Sequence, residues 1–524
     1  MKYRMTVAAL AGVFTVAACD RAQDAGQPSA TAAAPATPAQ APTPCENLAS
    51  LVLPGTTITT GTMVAAGAFT PPGAPQFGPP VDYSGLPAFC RVAATLSPVP
   101  DSEIKFEVWM PAQGWNGKFM GTGNGGAAGA VFHFAMAEPL SAGYAVANTD
   151  TGHEGGPADW SFAVGHPEKL IDSGYRAVHE MTLQAKAIVA AHYGTAPTRS
   201  YWSGCSTGGR QGLVEAQRFP EDYDGIAAGA PASPWVPLML HSLIAEQVMT
   251  DPAGALPPAK LPLIREAAIA ACDAQDDVTD RVTTDPERCD FDPGVLACTG
   301  SDTSMCLTSR EVEAVRKVYR GPVNPRTGEQ IAPGPMPGSE LEWAAYTPAA
   351  FPIASNFMRD IVFEDPDFDL FTFDFDDDVA RARQAVDAIF DASNPDLSAF
   401  AARGGKLLLW HGWTDGLIPT RGTINYYDSV VATLGADTAA DHVRLFLAPG
   451  VNHCQGGDGP SIVDYAAALD RWVESGTAPE SIVASRPLDE GGTRTRPLCA
   501  YPEIARYKGT GDTDGAASFE CTAP

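Results

Sequence analysis

The stretch GCSTG at residues 204–208 constrains this chain more than any other, because it fits the G-x-S-x-G pattern of a hydrolase nucleophile elbow. The preceding letters RSYWS are typical of a short buried strand, and the following RQGLVEAQRF is typical of a helix. Small residues are needed two positions on either side of the serine, since the backbone packs tightly in so sharp a turn. The bare pattern is common, but this strand–turn–helix context predicts that Ser206 is a catalytic nucleophile.

A nucleophilic serine needs a base and a group that orients the base. In hydrolases with this elbow, an acid and then a histidine follow the serine along the chain. The strand-like KLLLW is followed by HGWTDG with Asp415, and VRLFLAPG is followed by VNHC with His453. In open α/β sheets, active sites lie at the carboxyl ends of the strands. Asp415 and His453 are the predicted partners, since the competitors His411 and Asp441 do not fit both order and position.

Each end of this predicted pair has a neighbouring cysteine, Cys205 before the serine and Cys454 after the histidine. If Ser206 and His453 lie within hydrogen-bond reach, the cysteines are close enough for a disulfide, whose Cα atoms lie roughly 4.4–6.8 Å apart. The chain has 11 cysteines, and unpaired thiols are rare in exported proteins. Setting Cys19 aside leaves an even number. We therefore predict a Cys205–Cys454 disulfide, with two unrelated buried thiols as the alternative.

Residues 1–19 predict export. A basic start and an almost wholly apolar run over residues 5–18 are typical of a secretory signal. The run ends in VAAC, which resembles the lipobox of bacterial lipoproteins, where Cys19 is acylated; the alternative is ordinary cleavage nearby with a spare cysteine. Residues 20–44 are rich in Ala, Pro, Thr and Gln and indicate a disordered tether. We expect a bacterial lipoprotein of the periplasm or cell surface, held to a membrane only by this lipid.

Strand-like and helix-like segments alternate over 45–231 and resume over 403–524, which predicts an α/β domain with a parallel sheet. The interrupting segment 232–402 contains proline-rich turns, four cysteines and an acidic run, typical of a solvated face. We interpret it as a cap. The net charge of −28, without a cluster of Lys and Arg, argues against a nucleic-acid partner. The predicted helix covers 174–193, and the predicted strands cover 104–110, 118–121, 144–148, 199–203, 406–410 and 443–447.

The stretches YWSGCSTGGRQGLVEAQRFPEDYDGIAAGAPA, HGWTDGLIP and NHC resemble the tannase and feruloyl esterase family, and the likeness extends over nearly all of 45–521. It implies an α/β-hydrolase fold with a large lid domain between the nucleophile and acid segments. It also implies a serine carboxylesterase acting on a small aromatic ester, with no organic cofactor. By cysteine order it implies the Cys205–Cys454 disulfide and four more: Cys45–Cys90, Cys272–Cys289, Cys298–Cys306 and Cys499–Cys521.

An oxyanion hole should combine the backbone N–H of Thr207 with one from an early glycine-rich loop. GTGNGGAAG, which begins at Gly121, is the candidate loop, with Gly125 or Gly126 as the donor. The same letters satisfy G-x-G-x-x-G. We reject a dinucleotide site, because no convincing helix follows and an exported enzyme has no ready nicotinamide supply.

The resemblance also implies structural calcium in the lid, within CDAQDDVTDRVTTDPERC. This sequence departs from the family where glycine is usual, at Asp277 and Arg281, and arginine tolerates a positive φ poorly. The alternative is therefore a solvated acidic loop closed by a disulfide. Three carboxylates and two backbone carbonyls would provide oxygen ligands: Asp273, Asp276, Asp280, Val278 and Val282.

For substrate contacts the resemblance places the acyl pocket between the lid and the catalytic face. His411 is a candidate lining residue, and Arg359 is a candidate for a substrate carboxylate, with an ordinary lid salt bridge as its alternative. Terephthalate monoesters are a second substrate class. A catalytically silent surface binding protein is the hypothesis from another class. An aromatic wall is expected from Phe357, Phe363, Phe368 and Phe371.

Overall fold

The core of the molecule is a twisted sheet of nine strands in the spatial order β1-β2-β3-β5-β4-β6-β7-β8-β9. The computed structural model describes residues 41–72, 81–276, 278–489 and 491–524. The strands are β1 Thr56–Val64, β2 Phe89–Leu96, β3 Ile104–Pro111, β4 Lys118–Thr122, β5 Ala145–Thr149, β6 Arg199–Cys205, β7 Gly225–Gly229, β8 Lys406–Gly412 and β9 Val443–Ala448.

The sheet is antiparallel at one edge and parallel elsewhere. The pairs β1–β2, β2–β3 and β3–β5 are antiparallel. The pairs β5–β4, β4–β6, β6–β7, β7–β8 and β8–β9 are parallel. The parallel part is covered on both faces, so β5 and β7 are buried along their whole length. This confirms the predicted α/β architecture and places the carboxyl ends of β6, β8 and β9 at one edge.

Helices cover both faces of the sheet and form the segment between β7 and β8. Residues Asp172–Arg176 form a π-helical turn, and helix α3 begins directly after it at Ala177. The observed α-helix therefore begins later than the predicted helix 174–193. The bounds are α1 His133–Ser141, α2 Pro167–Ile171, α3 Ala177–Tyr193, α4 Thr207–Arg218, α5 Trp235–Thr250, α6 Leu261–Cys272, α7 Ser309–Arg320, α8 Ile353–Phe357, α9 Asp378–Phe390, α10 Ser398–Ala402, α11 Thr420–Leu434, α12 Ala436–His442 and α13 Tyr465–Ser475.

Helices α5 to α10 lie between β7 and β8, and the described residues of this segment add no strand to the central sheet. Helix α5 is buried on every side, as expected of an all-round apolar helix in a protein core. Arg210 of α4 lies 5.4 Å from the ring of Trp235 and 4.9 Å from that of Phe390. These cation–π contacts join the lid segment to the nucleophile helix. The predicted boundaries at 232 and 402 stay predictions.

Two short hairpins complete the chain, β10 Ser481–Pro487 with β11 Thr493–Cys499, and β12 Ile504–Tyr507 with β13 Phe519–Thr522. Across the part of the chain that the structure describes, no helix has the length and apolar character needed to cross a membrane. The signal peptide, Cys19 and nearly all of the predicted tether lie outside the described residues.

Candidate active site

Ser206 lies on the sharp turn between β6 and α4. Its backbone has φ 64° and ψ −124°, a conformation that L-residues rarely adopt and that concentrates at functional sites. The neighbouring glycines are needed for space. A Cβ on Gly204 would lie 2.7 Å from the carbonyl of Gly208, and one on Gly208 would lie 2.9 Å from the Cα of Gly123. The turn therefore has the tight packing that the elbow pattern predicts.

His453 and Asp415 form a direct hydrogen bond. The imidazole Nδ1 donates to Oδ2 of Asp415 over 2.8 Å. The Asp415 side chain is fully buried, while 15% of the His453 side chain remains exposed. Oδ1 of Asp415 accepts the backbone N–H groups of Leu417 at 2.9 Å and Ile418 at 2.8 Å. The carboxylate is thereby fixed, and the imidazole keeps one edge accessible.

The electrostatics of this pair favour a charged carboxylate. Burial acts to raise the pKa of Asp415, but the His453 and His411 imidazoles outweigh it and hold that pKa well below its usual range. Burial acts to lower the pKa of His453, but the Asp415 carboxylate outweighs it and raises that pKa above its ordinary value. An ionised Asp415 can therefore stabilise a positively charged His453.

A second imidazole contacts the same carboxylate. Nε2 of His411 lies 3.0 Å from Oδ2 of Asp415 and 3.0 Å from the carbonyl oxygen of Ile418. Both oxygens only accept, so Nε2 carries the proton. Nδ1 then accepts the Thr423 hydroxyl at 2.8 Å. Because His411 is fully buried, the prediction that it lines the substrate pocket is wrong; it positions Asp415 instead.

The predicted Cys205–Cys454 disulfide is confirmed, with an S–S distance of 2.05 Å and a Cα–Cα distance of 6.0 Å. It bonds the residues directly beside Ser206 and His453, which are otherwise separated by a long stretch of chain. The remaining four predicted pairs are also confirmed: Cys45–Cys90, Cys272–Cys289, Cys298–Cys306 and Cys499–Cys521.

Replacing Cys205 and Cys454 together by serine is expected to lower the free energy of unfolding by about 5 kcal/mol in the chain-entropy model, because the bond closes a long loop. The sequence separation is 249 residues. The matched control replaces Cys298 and Cys306, which close a separation of 8 residues and should cost about 2.5 kcal/mol. Denaturant unfolding measures both. An equal or smaller loss for the first pair would contradict the expectation.

The glycine-rich loop at 121–129 is bonded to the first turn of α4. The hydroxyl of Thr207 donates to the carbonyl of Gly126 at 2.6 Å, and the N–H of Gly208 donates to the carbonyl of Asn124 at 2.8 Å. Thr207 is the first residue of α4, where a backbone N–H has no partner within the helix. The loop and the helix start are therefore held together directly after Ser206.

Two residues that sequence reasoning missed fix this loop. The N–H of Asn124 donates to Oε1 of Gln211 at 3.0 Å, and Nε2 of Gln211 donates to Oδ1 of Asn124 at 3.1 Å. The predicted donor loop is thus bonded to α4 by Gln211, Thr207 and Gly208, and the N–H groups of Gly125 and Gly126 donate to no backbone carbonyl among the described residues. No local sequence pattern indicates this contact, because Asn124 and Gln211 are 87 residues apart along the chain.

The two other residues predicted to contact the substrate, Phe357 and Arg359, contact other side chains of the protein. Phe357 is fully buried and packs edge-on against the rings of Trp160 at 5.2 Å and Trp235 at 5.8 Å. Its predicted place in the pocket wall is therefore wrong, because it belongs to the lid core. Arg359 donates twice to the carboxylate of Asp360, at 2.7 Å each, which is the lid salt bridge that the sequence left as an alternative.

Of the predicted calcium ligands, Asp273 is buried, and Asp276 and Asp280 are partly buried. Asp276 accepts the N–H and the hydroxyl of Thr284 at 3.1 and 2.6 Å, while Asp280 pairs with Arg494 and Arg496. Burial raises the pKa of Asp276, and the nearby Asp280 adds to the effect. Burial likewise raises the pKa of Asp280, against the pull of the two arginines. Carboxylate and carbonyl oxygens are the ligand type that calcium prefers, but Asp276 and Asp280 already have partners within the fold, so calcium at this loop stays a prediction.

Arg281, where the resemblance implies glycine, has a left-handed backbone conformation. Arg281 has φ 71°, which costs an L-residue energy. Its guanidinium donates to Glu266 at 2.9 and 2.7 Å and to Asp458 at 3.1 Å, and these contacts hold it in place. The other departure, Asp277, lies outside the described residues.

A separate cluster joins α3, α4 and the loop after α4. His179, Glu215 and Asp222 offer ligand atoms within 4.8 Å of one another. Burial raises the pKa of Glu215 well above its usual value, and Asp222 adds to this. Lys186 lies against the carbonyl of Asp222. His179 also lies 2.7 Å from Oδ2 of Asp222, so the members of this cluster contact one another.

A serine on a nucleophile elbow, followed along the chain by an acid and a histidine at parallel-strand ends, defines a serine hydrolase of the α/β-hydrolase fold. The chain belongs to the tannase and feruloyl esterase family, whose model, described as "Tannase and feruloyl esterase", matches residues 90–522. It is a carboxylic ester hydrolase, as that family and its named esterases indicate.

Three similar proteins illustrate the relationship. An uncharacterized esterase of Xanthomonas campestris pv. campestris is 41% identical over 93% of this chain and 92% of its own length. The mono(2-hydroxyethyl) terephthalate hydrolase of Piscinibacter sakaiensis is 33% identical over 84% of this chain and 86% of its own. The crystal structure of feruloyl esterase B from Aspergillus oryzae superposes with a TM-score of 0.84 at 29% identity, over 91% of this chain and 99% of that one.

Proposed function

We propose that this protein is a serine carboxylesterase that hydrolyses esters of aromatic, phenolic acids, with Ser206 as nucleophile, His453 as base and Asp415 as the orienting acid. The observation that carries the proposal is the 2.8 Å bond from His453 to Asp415, fixed beside the elbow serine by the Cys205–Cys454 disulfide. The feruloyl esterase structure of the same fold supports the substrate class.

The geometry supports a two-step acyl transfer. His453 accepts the proton of the Ser206 hydroxyl as the serine oxygen attacks the ester carbonyl. The N–H of Thr207 and one from Gly125 or Gly126 stabilise the negative oxygen that forms. His453 then gives its proton to the leaving alcohol, and the acyl-enzyme remains. Water, activated by the same histidine, releases the aromatic acid and restores the serine.

A second candidate is the hydrolysis of terephthalate monoesters. The Piscinibacter sakaiensis hydrolase, 33% identical to this chain, favours it, and the same residues would act. A silent binding protein on this fold is opposed by the ordered Asp415–His453 pair, which binding alone does not require.

Measuring kcat/KM for methyl ferulate, methyl gallate and mono(2-hydroxyethyl) terephthalate tests this proposal. A phenolic methyl ester should exceed the terephthalate monoester by about tenfold or more, which corresponds to about 1.4 kcal/mol of transition-state binding. The reverse order would favour the terephthalate hydrolase. No turnover of any of the three would favour the binding protein.

We also propose a structural calcium ion in the lid loop. The partly buried carboxylates of Asp276 and Asp280 support it, because their partial burial raises the pKa of both groups. Asp273 and the carbonyls of Val278 and Val282 would complete the ligand set. The ion would supply charge balance for these carboxylates and no catalytic step.

Chelation with EGTA should lower the melting temperature by several degrees, since a ligand bound only by the folded state stabilises it. Carboxyls with a raised folded-state pKa make the metal-free fold less stable as pH rises through that pKa. The loss should therefore be larger at about pH 7 than at about pH 5, and calcium should restore it. Asp276→Asn should abolish the effect, and the exposed control Asp302→Asn should keep it. An unchanged melting temperature would contradict the proposal.

Finally, we propose that the chain is exported and acylated at Cys19. Five disulfides among the described residues support an oxidising compartment. Mass spectrometry of the membrane fraction should find a diacylglyceryl group on Cys19. A soluble mature protein that begins near Cys19 without lipid would favour ordinary cleavage.

A further inference from the structure

One carboxylate from the lid segment binds the backbone of both catalytic loops. Oε2 of Glu342 accepts the N–H of Gly416, the residue after Asp415, at 2.8 Å. Both carboxylate oxygens also lie 3.1 Å from the N–H of His453. Glu342 belongs to the 3-10 turn Glu340–Ala345 between β7 and β8. The acid turn and the histidine loop, which come from different strands, thus share a single acceptor.

The contact around this carboxylate is tight. A Cβ on Gly416 would lie 2.8 Å from the carbonyl oxygen of Ser339 and 2.9 Å from the Cβ of Glu342. The hydroxyl of Tyr346, one residue beyond the 3-10 turn, donates to the carbonyl of Leu417 at 3.0 Å. Because the two segments are closely packed, a shift of the 3-10 turn would move the turn that contains Asp415 with it.

The charge of Glu342 also reaches the catalytic histidine. Burial, with a smaller contribution from the Asp415 carboxylate, raises the pKa of Glu342 to about 7 against the opposing effect of His453. In return, Glu342 adds to Asp415 in raising the pKa of His453. Among the described residues, three other titratable groups face this region: His411, which contacts Asp415, Tyr346, which interacts with both Asp415 and Glu342, and His241, which interacts with Asp415. A negative charge here favours the imidazolium that forms in the transition state.

We propose that Glu342 is a positioning residue for the ester hydrolysis. Through Glu342 the lid sets the spacing between the Asp415 turn and the His453 loop, and the negative charge of Glu342 stabilises the imidazolium of His453. This inference rests on the proposed role of His453 as the base. A purely structural role would require only the two backbone hydrogen bonds and would leave the titration of His453 unchanged.

Glu342→Gln tests the charge with little change of shape. Its kcat should fall by about 10- to 100-fold with KM changed less than about threefold, since the lost interaction acts mainly in the transition state. The acidic limb of the kcat/KM profile should move to lower pH by about 0.5 to 1, because a neighbouring negative charge no longer favours the imidazolium. Glu342→Asp keeps the charge and shortens the reach, so it should lose kcat while that limb stays in place.

Glu340→Gln is the matched control. Glu340 is buried in the same turn and accepts the N–H of Gly338 at 2.9 Å and the hydroxyl of Tyr319, without any contact to Asp415 or His453. It should leave the acidic limb in place. Identical profiles for wild type and Glu342→Gln, or equal shifts in both glutamine variants, would overturn the proposal. If Glu342→Gln does not fold, full activity of Glu342→Asp would overturn it.

A readout independent of turnover separates this inference from the proposed function. In Ser206→Ala protein, the downfield NMR signal of the proton between His453 and Asp415 reports the titration of the imidazole. Adding Glu342→Gln should move its midpoint to lower pH by about 0.5 to 1, and an unmoved midpoint would overturn the role of Glu342. Failure of the wild type to cleave any ester would overturn the proposed function alone.

Discussion

Replacing Ser206 by alanine is expected to lower kcat for a phenolic-acid ester by on the order of 10⁴- to 10⁶-fold, because no acyl-enzyme can form without the hydroxyl. The residual rate would come from binding and the oxyanion donors alone. The melting temperature should stay close to that of the wild type, since the positive φ of 64° comes from the turn and not from the hydroxyl. Stopped-flow or steady-state assays with methyl ferulate measure the loss.

Ser429→Ala is the control for this variant. Ser429 is exposed on α11 and donates to the carbonyl of Asn425 at 2.8 Å, far in sequence from the elbow. It should retain wild-type kcat. Turnover by Ser206→Ala within about tenfold of the wild type would exclude Ser206 as the nucleophile.

Replacing Asp415 by asparagine should lower kcat by about 10⁴-fold. Oδ1 of Asp415 accepts two backbone N–H groups, so the amide oxygen of asparagine will take that place. The amide NH₂ then faces His453 and His411, both of which donate to Oδ2 in the wild type. His453 must then adopt the tautomer that has its proton on Nε2. In that tautomer Nε2 cannot accept the serine proton. KM should change little.

Asp441→Asn is the matched control, since Asp441 is exposed at the end of α12 and was the competing acid in the sequence. It should leave kcat unchanged. A larger loss for Asp441→Asn than for Asp415→Asn would reverse the assignment of the acid.

The sequence predicted those parts of the site that depend on local turns. Ser206, Asp415 and His453 each follow a strand, and the cysteines beside two of them indicated which loops meet. The partners of Asp415 were harder to find. His411 looked like a pocket residue because it precedes the acid turn, whereas the strand direction turns its ring inward to Thr423. Its burial depends on α11, which no local pattern reveals.

Contacts between distant segments were beyond local patterns altogether. Glu342 lies in an irregular turn, and its link to Gly416 and His453 exists only once the lid is folded. Strand β7 was missed for another reason: its sequence GIAAG has weak strand propensity. Its residues must be small, because a Cβ on Gly229 would lie 2.1 Å from the ring of Trp410 in β8. Packing, not propensity, selects those residues.

The proposed ester hydrolysis depends on His453 activating the hydroxyl of Ser206. Labelling the purified protein with a fluorophosphonate probe, followed by peptide mass spectrometry, measures this most directly. One adduct on the peptide that contains Ser206 is expected, with labelling of His453→Ala slowed by at least about 100-fold. No adduct, an adduct on another serine, or equal labelling rates in wild type and His453→Ala would contradict it.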